Sequence, residues 1–375
     1  AFLSGGIDSS LIVALMQKIS SNKVNTFTIG FEESNFNEAI YAKNIADHLG
    51  TNHTELYISE KESINLAYRC GSIWDEPFGD SSQIPMLLLS SLTKQNVKVA
   101  LSGDGGDELF CGYNRYGNGY NLFRLLSVVP DILLKLTSNI LSDLDPKFIN
   151  KLDPFITKNF KLNALQDKIF KISKVINVSD KNLFYQKLIS CIDSPEDLLI
   201  DGFEPKTLLS TNELWPKYDD FREIMMYLDC MTYLVDDILT KVDRATMSQG
   251  LEARVPFLDH NLIEWSARLP INQKIKNNST KWLLKKVLAK YVPKSYFNRP
   301  KMGFGVPLSS WLKGTLKDWT YDLLSESNIR DQGLFNYEPI QKMLSENYSN
   351  KRFWHHQLWT LLMFQSWYFD SHLCN

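Results

Sequence analysis

Apolar positions in the first hundred residues fall into two alternating periods, and the switches between them mark out the elements. Leu11, Ile12, Leu15, Met16 and Ile19 recur at the spacing of one buried helix face, after an apolar lead-in and a Gly5-Gly6 turn. Thr26–Phe31 reads as a strand, and Asn37–Leu49 as a helix that carries Ile40, Tyr41, Ile45 and Leu49 and stops at Gly50. His53–Ile58 alternates as a further strand, Ile64–Ile73 and Ile84–Leu92 read as helices, and Val97–Leu101 is a short apolar strand ending in Ser102-Gly103. Strands alternating with helices predict an α/β fold with a parallel, doubly wound sheet. Ligands of such sheets sit off the carboxyl ends of the strands, so Leu3-Ser4, Gly30-Phe31 and Ser102-Gly103 are expected to converge.

From about Asn121 to Lys217 the pattern fades into short apolar runs broken by Pro130, Pro146, Pro154 and Pro195, which predicts a variable helical layer without chemistry. Helical spacing returns at Phe221–Leu239, Leu262–Leu269, Trp282–Tyr291 and Phe353–Phe369, and the stripe Trp354, Trp359, Phe364, Trp367 reads as packing. The expected layout is therefore an α/β core over 1–120, the helical layer over 121–217, and a helical portion over 218–375 that completes the site.

Composition adds exclusions. With 44% hydrophobic and 22% charged residues the 375-residue chain has the balance of an ordinary globular protein. A net charge of −2 supplies no global basic field, so nucleic acid is not an expected partner. No apolar run approaches the ~18 residues of a membrane span, and the expected location is cytoplasmic. Cys70, Cys111, Cys191, Cys230 and Cys374 are scattered without a C-x-x-C pair, which favours reduced thiols over a zinc site. Ala1-Phe2-Leu3 reads as the end of a strand whose beginning is missing, so upstream sequence is expected to have been removed.

Four stretches carry candidate chemistry. In Leu3-Ser4-Gly5-Gly6-Ile7-Asp8-Ser9-Ser10, a strand, a glycine turn and a helix N-terminus gather backbone N–H donors and the positive end of a helix dipole, a natural seat for a phosphate chain. The Walker lysine is absent, which excludes an ordinary P-loop. Asp8 either caps the helix or faces the phosphates through a divalent cation, since a bare carboxylate is repelled by them. In Ser102-Gly103-Asp104-Gly105-Gly106-Asp107-Glu108, acids among glycines follow a strand end, where Asp107 can join Asp8 in a two-carboxylate Mg²⁺ site. Lys241-Val242-Asp243-Arg244 through Leu251–His260 alternates cations and carboxylates, as a buried ion-pair network or a binder of substrate charge does, with Asp259 as a helix N-cap. Arg299-Pro300-Lys301-Met302-Gly303-Phe304 is a loop whose cations either face solvent or reach a polyphosphate.

Taken together and in this order, these stretches resemble the synthetase half of glutamine-dependent asparagine synthetases, within the PP-loop ATP pyrophosphatases (adenine nucleotide alpha hydrolase-like). Ser4–Ser9 is similar to the PP-loop, and Leu101–Phe110 with Gly112-Tyr113 to the second motif. Leu251–His260, Arg299 with Lys301 and Gly303-Phe304, and Leu358-Trp359 complete the likeness, which covers nearly the whole chain. The resemblance implies ATP bound by Leu3, Ser4, Gly5, Gly6, Asp8, Ser9, Ser10, Ile29, Ser102 and Gly103, with Mg²⁺ on Asp8 and Asp107. It implies attack of the aspartate side chain on the α-phosphorus, a β-aspartyl-AMP intermediate, and displacement of AMP by ammonia. Lys301 then stabilises the pyrophosphate leaving group, and Asp104, where relatives carry the longer Glu, assists amide formation. Asp80, Ser81, Lys241 and Arg244 fall near the substrate or pyrophosphate, with Glu76, Pro77 and Ser82 in the same family stretch. The glutaminase domain is missing from this chain, which leaves free ammonia as its nitrogen source, and a homodimer is a possible assembly. The competing readings are an amidotransferase for another carboxylate (a surface sugar acid, a peptide or a β-lactam precursor), a tRNA-modifying PP-loop enzyme, which lacks its basic patch here, and a non-catalytic PP-loop scaffold. Retention of Asp8, Asp107, Lys301 and the loop glycines argues against the scaffold.

Overall fold

After its first residue, every position of the strand Asn25–Phe31 (β1) is buried. Such a run, buried on both faces, belongs to a parallel sheet rather than to a half-wet antiparallel one. β1 pairs in parallel with Asn52–Ile58 (β2), from Asn25 opposite Asn52 to Phe31 opposite Ile58. A second parallel pair joins Val99–Leu101 (β3) to Glu252–Arg254 (β4). Residues 1–3 lie between the pairs: Phe2 N donates to Leu101 O at 2.9 Å, and Leu3 N to Phe27 O at 2.9 Å. This is an α/β protein with parallel sheets, in a computed structural model that describes residues 1–31, 37–130, 132–134, 137, 169, 172–277, 279–299 and 305–373.

The chain divides into two units, one of Ala1–Gly117, Tyr218–Pro307 and Met363–Asn375, the other of Asn118–Lys217 and Leu308–Leu362. The strands belong to the first unit. Among its helices, in order, are α1 (Ile7–Ile19), α2 (Ala39–Leu49), α3 (Glu60–Ala67), α4 (Gln83–Lys94), the single turn α5 (Gly106–Leu109), α6 (Phe221–Met231), α7 (Thr240–Met247), α8 (His260–Arg268) and α9 (Trp282–Leu288). Their ends follow local chemistry. Gly50 closes α2 in the left-handed region, and its N–H returns to the Ala46 and Asp47 carbonyls. Ser59 and Glu62 form a capping box on α3, and the Asp259 carboxylate accepts from the N–H groups of Asn261 and Leu262, the N-cap expected of it. Leu11 and Ile12 of α1 share one hydrophobic cluster with Leu284 and Leu288 of α9, and Lys281, just before α9, bonds Asp8 in the first turn of α1.

Three expectations need correction. The helix predicted over Ile64–Ile73 ends at Ala67, and Cys70–Ser72 makes a 3₁₀ turn around the buried Gly71, a residue that weakens an α-helix interior. The helix predicted over Phe221–Leu239 breaks at Thr232, and Leu234–Leu239 continues with π-helical geometry. The ion pairs expected to be buried around Leu251–His260 include an exposed one, Arg254 with Glu252 across 2.7 Å, both side chains more than half exposed.

In the second unit, helices Tyr120–Leu126, Lys181–Ile189 and Tyr337–Tyr348 accompany the buried Trp311, Trp359, Phe184 and Tyr185. Trp359 is wholly buried and the Trp354 indole donates to Glu346 at 2.8 Å, so these members of the aromatic stripe pack as expected. Among the described residues no helix is long and apolar enough to cross a membrane.

Candidate active site

The loop Ser4–Gly6 is tied to the first turn of α1 by its own hydroxyls. Ser4 Oγ accepts from Gly6 N at 3.2 Å and lies 3.1 Å from Ser9 Oγ, which in turn accepts from Ser4 N at 3.3 Å. No side chain caps α1, whose N-cap is Gly6. The loop after β3 comes against this turn, because the Cβ position of Gly103 lies 2.7 Å from Ser9 N. A Cβ on Gly106 would stand 2.6 Å from the Asp8 carboxylate carbon, so only glycine permits that approach. The strand ends Leu3-Ser4 and Ser102-Gly103 thus converge as predicted. Leu3 and Ile29 are buried beneath them, as are Ser9, Ser10 and Ser102.

Asp8 and Asp107 meet on one cation, the ammonium of Lys281. Nζ bonds an oxygen of Asp8 and lies 2.6 Å from Asp107 Oδ1, with the Lys281 side chain only 5% exposed. Burial alone would lower the lysine's pKa, but the two carboxylates outweigh it and raise it. The Gly112 backbone closes the back of this seat, where any Cβ would collide with Lys281 Cε and Asp107 Oδ1. Lys281 is the N-cap of α9 and takes a left-handed backbone, φ 52° and ψ 36°. A cation at a helix N-terminus opposes the dipole, and a lysine rarely adopts this backbone. Both costs are offset by the two carboxylates.

Beside this trio, Ser102 Oγ donates to Asp104 Oδ2 at 2.7 Å. Burial raises the Asp104 pKa, while the Ser102 hydrogen bond and the charges of Lys241 and Lys281 oppose the rise. A second trio follows. Lys241 Nζ donates to Asp80 Oδ2 at 2.7 Å and to Ser82 Oγ at 2.8 Å, and Asp237 Oδ1 stands at 3.8 Å. Burial works against ionisation of Asp80, but Lys241 and the Ser82 donors overcome it and hold its carboxyl below the usual range. Asp237 is pushed up, first by burial and then by the charge of Asp80.

A third group braces the acidic loop. Tyr113 OH donates to Glu108 Oε1 at 2.7 Å, and burial pushes that carboxyl up to about 7. The Arg115 guanidinium lies 4.3 Å from the Tyr113 ring centre and 4.7 Å from that of Tyr233, and its Nη2 donates to the buried Asp229 at 2.6 Å.

A family model described as asparagine synthase matches residues 1–368. The chain belongs to the asparagine synthase family. It is 32% identical over 371 residues to asparagine synthetase [glutamine-hydrolyzing] 1 of Bacillus subtilis (strain 168), covering 98% of this chain and 55% of that protein. It is 30% identical over 374 residues to a putative asparagine synthetase [glutamine-hydrolyzing] of Mycobacterium tuberculosis, over 98% of this chain and 54% of the relative. The amidase chry2 of Gibberella zeae is 24% identical over 383 residues, 91% of this chain and 54% of that protein. The chain spans about half the length of these curated relatives.

Of the residues predicted for the site, the structure brings together Ser4, Gly6, Asp8, Ser9, Gly103, Asp104 and Asp107, with Lys241 and Asp80 nearby through Asp104. In the turn before α4, Ser82 rather than Ser81 holds Lys241. Arg244 is half exposed and pairs with Asp75 at 3.0 Å and with Asp243 at 3.1 Å, outside either trio. Glu76 is exposed. Arg299 lies over the Tyr41 ring, 4.0 Å from its centre, whereas Lys301 lies outside the described residues. Sequence reasoning missed Lys281, Asp237 and the Arg115–Asp229 pair. For Lys281 one signal was present, a lysine placed where a helix dipole disfavours it.

Proposed function

We propose that this chain is the synthetase part of an ATP-dependent, AMP-forming amide ligase, making asparagine from aspartate and ammonia through β-aspartyl-AMP. The observation that carries the reading is the convergence of Asp8 and Asp107 on a single cation at the N-terminus of α1, between two glycine loops. Carboxylates that share one ammonium are spaced to share one metal ion, so the donor set fits Mg²⁺. Among the described residues no cluster of three or more acids, histidines or cysteines could hold a metal alone. Two carboxylates then complete an Mg²⁺ shell together with phosphate oxygens and water. When bound, the ion neutralises charge on the polyphosphate.

The chain's own residues do the rest. Backbone N–H groups of the Ser4–Ser10 loop other than those the loop itself uses, Ser4, Gly6 and Ser10, receive the phosphates, while Leu3, Ile29 and Ser102-Gly103 enclose the adenine side. The aspartate carboxylate attacks the α-phosphorus, and Lys301 steadies the departing pyrophosphate. Ammonia then attacks the acyl carbon, the bond to AMP breaks and AMP departs, and the Asp104 carboxylate, a stronger base for its burial, takes the proton released from the nitrogen. Asp80 and Lys241 hold the acceptor end. The doubly wound PP-loop arrangement is supported by the parallel pairs and by the hydrogen bonds of residues 1–3 to both of them. Ammonia derived from glutamine fits the glutamine-hydrolyzing names of the longer relatives. The amidase-named relatives at 23–24% identity favour one second reading, the same chemistry on another carboxylate.

The test is pyrophosphate release from MgATP with ammonium across a panel of carboxylic acids, with products identified by mass. Asparagine and AMP from aspartate alone is the expected result. Release only with another acid moves the substrate and keeps the mechanism, and no release with any acid rejects the ligase reading for this chain.

A further inference from the structure

We propose that the Lys281 ammonium is a resident counter-ion of the metal seat, so that a divalent cation enters between Asp8 and Asp107 only together with the phosphates that receive the displaced ammonium. The inference rests on the reading of these two carboxylates as the metal ligands.

Both carboxylates are already engaged by one buried cation. Lys281 contacts both carboxylates, is 5% exposed, and is backed by the Gly112 backbone against its side chain. A divalent ion that took the two carboxylates would leave a buried ammonium facing a double positive charge and the positive end of α9 at once. A buried charge stripped of its partner is among the costlier states a protein can adopt. Metal alone therefore binds poorly to the nucleotide-free protein. A polyphosphate changes the balance, because it brings negative charge for the lysine and oxygen ligands for the metal in one step. Metal and nucleotide then favour each other by the same factor in either order. The arrangement also keeps Asp8 and Asp107 from repelling each other while the seat holds no metal.

The experiment measures Mn²⁺ binding to the full chain without nucleotide, from the free-Mn²⁺ signal in electron paramagnetic resonance. The wild type is compared with Lys281→Met, Lys281→Arg and the double variant Lys281→Met/Asp107→Asn, with folding checked by thermal melts. Wild type and Lys281→Arg are expected to bind weakly, Lys281→Met about tenfold tighter or more, and the double variant weakly again. Wild-type binding as tight as that of Lys281→Met overturns the proposal, as does tight binding that survives Asp107→Asn. Should Lys281→Met fail to fold, the wild type decides: tight nucleotide-free binding that Asp107→Asn abolishes also overturns it. The underlying metal reading fails separately if Mn²⁺ bound in the presence of ATP is indifferent to Asp8→Asn and Asp107→Asn.

Discussion

Lys281 and Lys241 each sit between two aspartates, yet the two trios differ in build. Lys281 touches both of its carboxylates, and their side chains are 14% and 18% exposed. Lys241 touches Asp80 at 2.7 Å but stands 3.8 Å from Asp237, and it spends a further donor on Ser82. In the first trio the cation is in contact with both acids, so both can pass together to a cation of higher charge. In the second, Asp80 takes most of the compensation, and Asp237 is left with burial and a neighbouring negative charge, which favour its protonated form. The same three residue types thus make a seat for a cation in one place and a fixed ion pair with a proton-holding neighbour in the other.

The largest expected effect comes from breaking the first trio. Asp8→Asn and Asp107→Asn each leave Lys281 with one carboxylate, so the fold survives while pyrophosphate release falls by about 10³-fold. Near-normal turnover in either variant, by the release assay, would falsify the metal assignment.

Removing the cation should separate the trios. Lys241→Met strands a largely buried Asp80 and should cost roughly 3–5 kcal/mol of stability, read by denaturant unfolding. The folded pKa of Asp80 is depressed, so its contribution exists at neutral pH and is lost as pH falls through the carboxylate range. The penalty of the variant should therefore shrink in acid. Lys281→Met should also destabilise, but millimolar Mg²⁺ should restore that variant and leave Lys241→Met unchanged. Equal rescue of both, or of neither, would erase the distinction drawn between them.

Glu108 sharpens the comparison from outside, since it is a buried acid whose partner is the Tyr113 hydroxyl. Its folded pKa is raised from 4.5 to about 7, so the folded state holds the proton more tightly than the unfolded one. Stability is then fullest below the unfolded value and declines as pH climbs toward 7, by on the order of 3 kcal/mol. Glu108→Gln keeps an acceptor for Tyr113 and cannot ionise. It should flatten that decline and exceed the wild type in stability at pH 8, a reversal that melts at pH 5 and pH 8 would reveal.

How much of this could be read from the chain follows from which forces are local. The glycines around Asp8 and Asp107 and the acids among them are local chemistry, and the structure joins the two loops as the residues themselves suggested. Asn25–Phe31 and Asn52–Ile58 fall within a residue of their predicted bounds, the first because it is buried on both faces and the second through its alternating pattern. Lys281 was not legible, since its partner Asp8 is 273 positions away and nothing local marks the pair except an awkward helix start. Ser81 and Ser82 both lay in the family stretch, and only the turn before α4 decides that the Ser82 hydroxyl meets Lys241. Asp229 looked like one polar residue in an amphipathic helix, and only the fold sets the Arg115 guanidinium against it.

The smallest expected effect concerns Arg244, one helical turn along α7 from Lys241. Its side chain is 46% exposed, and both of its partners, Asp75 and Asp243, are more exposed still. Exposed pairs of this kind contribute about 0–1 kcal/mol, because water screens them and the side chains lose freedom to form them. If substrate charge is held by Lys241 and its buried aspartate, Arg244→Ala should leave the KM for the acceptor acid within about twofold and the melting temperature nearly unmoved. Lys241→Arg, by contrast, keeps the charge but changes its shape in a seat built for a compact ammonium, and should raise that KM. A rise in KM for Arg244→Ala as large as that for Lys241→Arg would place the acceptor site on the exposed face of α7 and make the second trio a structural brace.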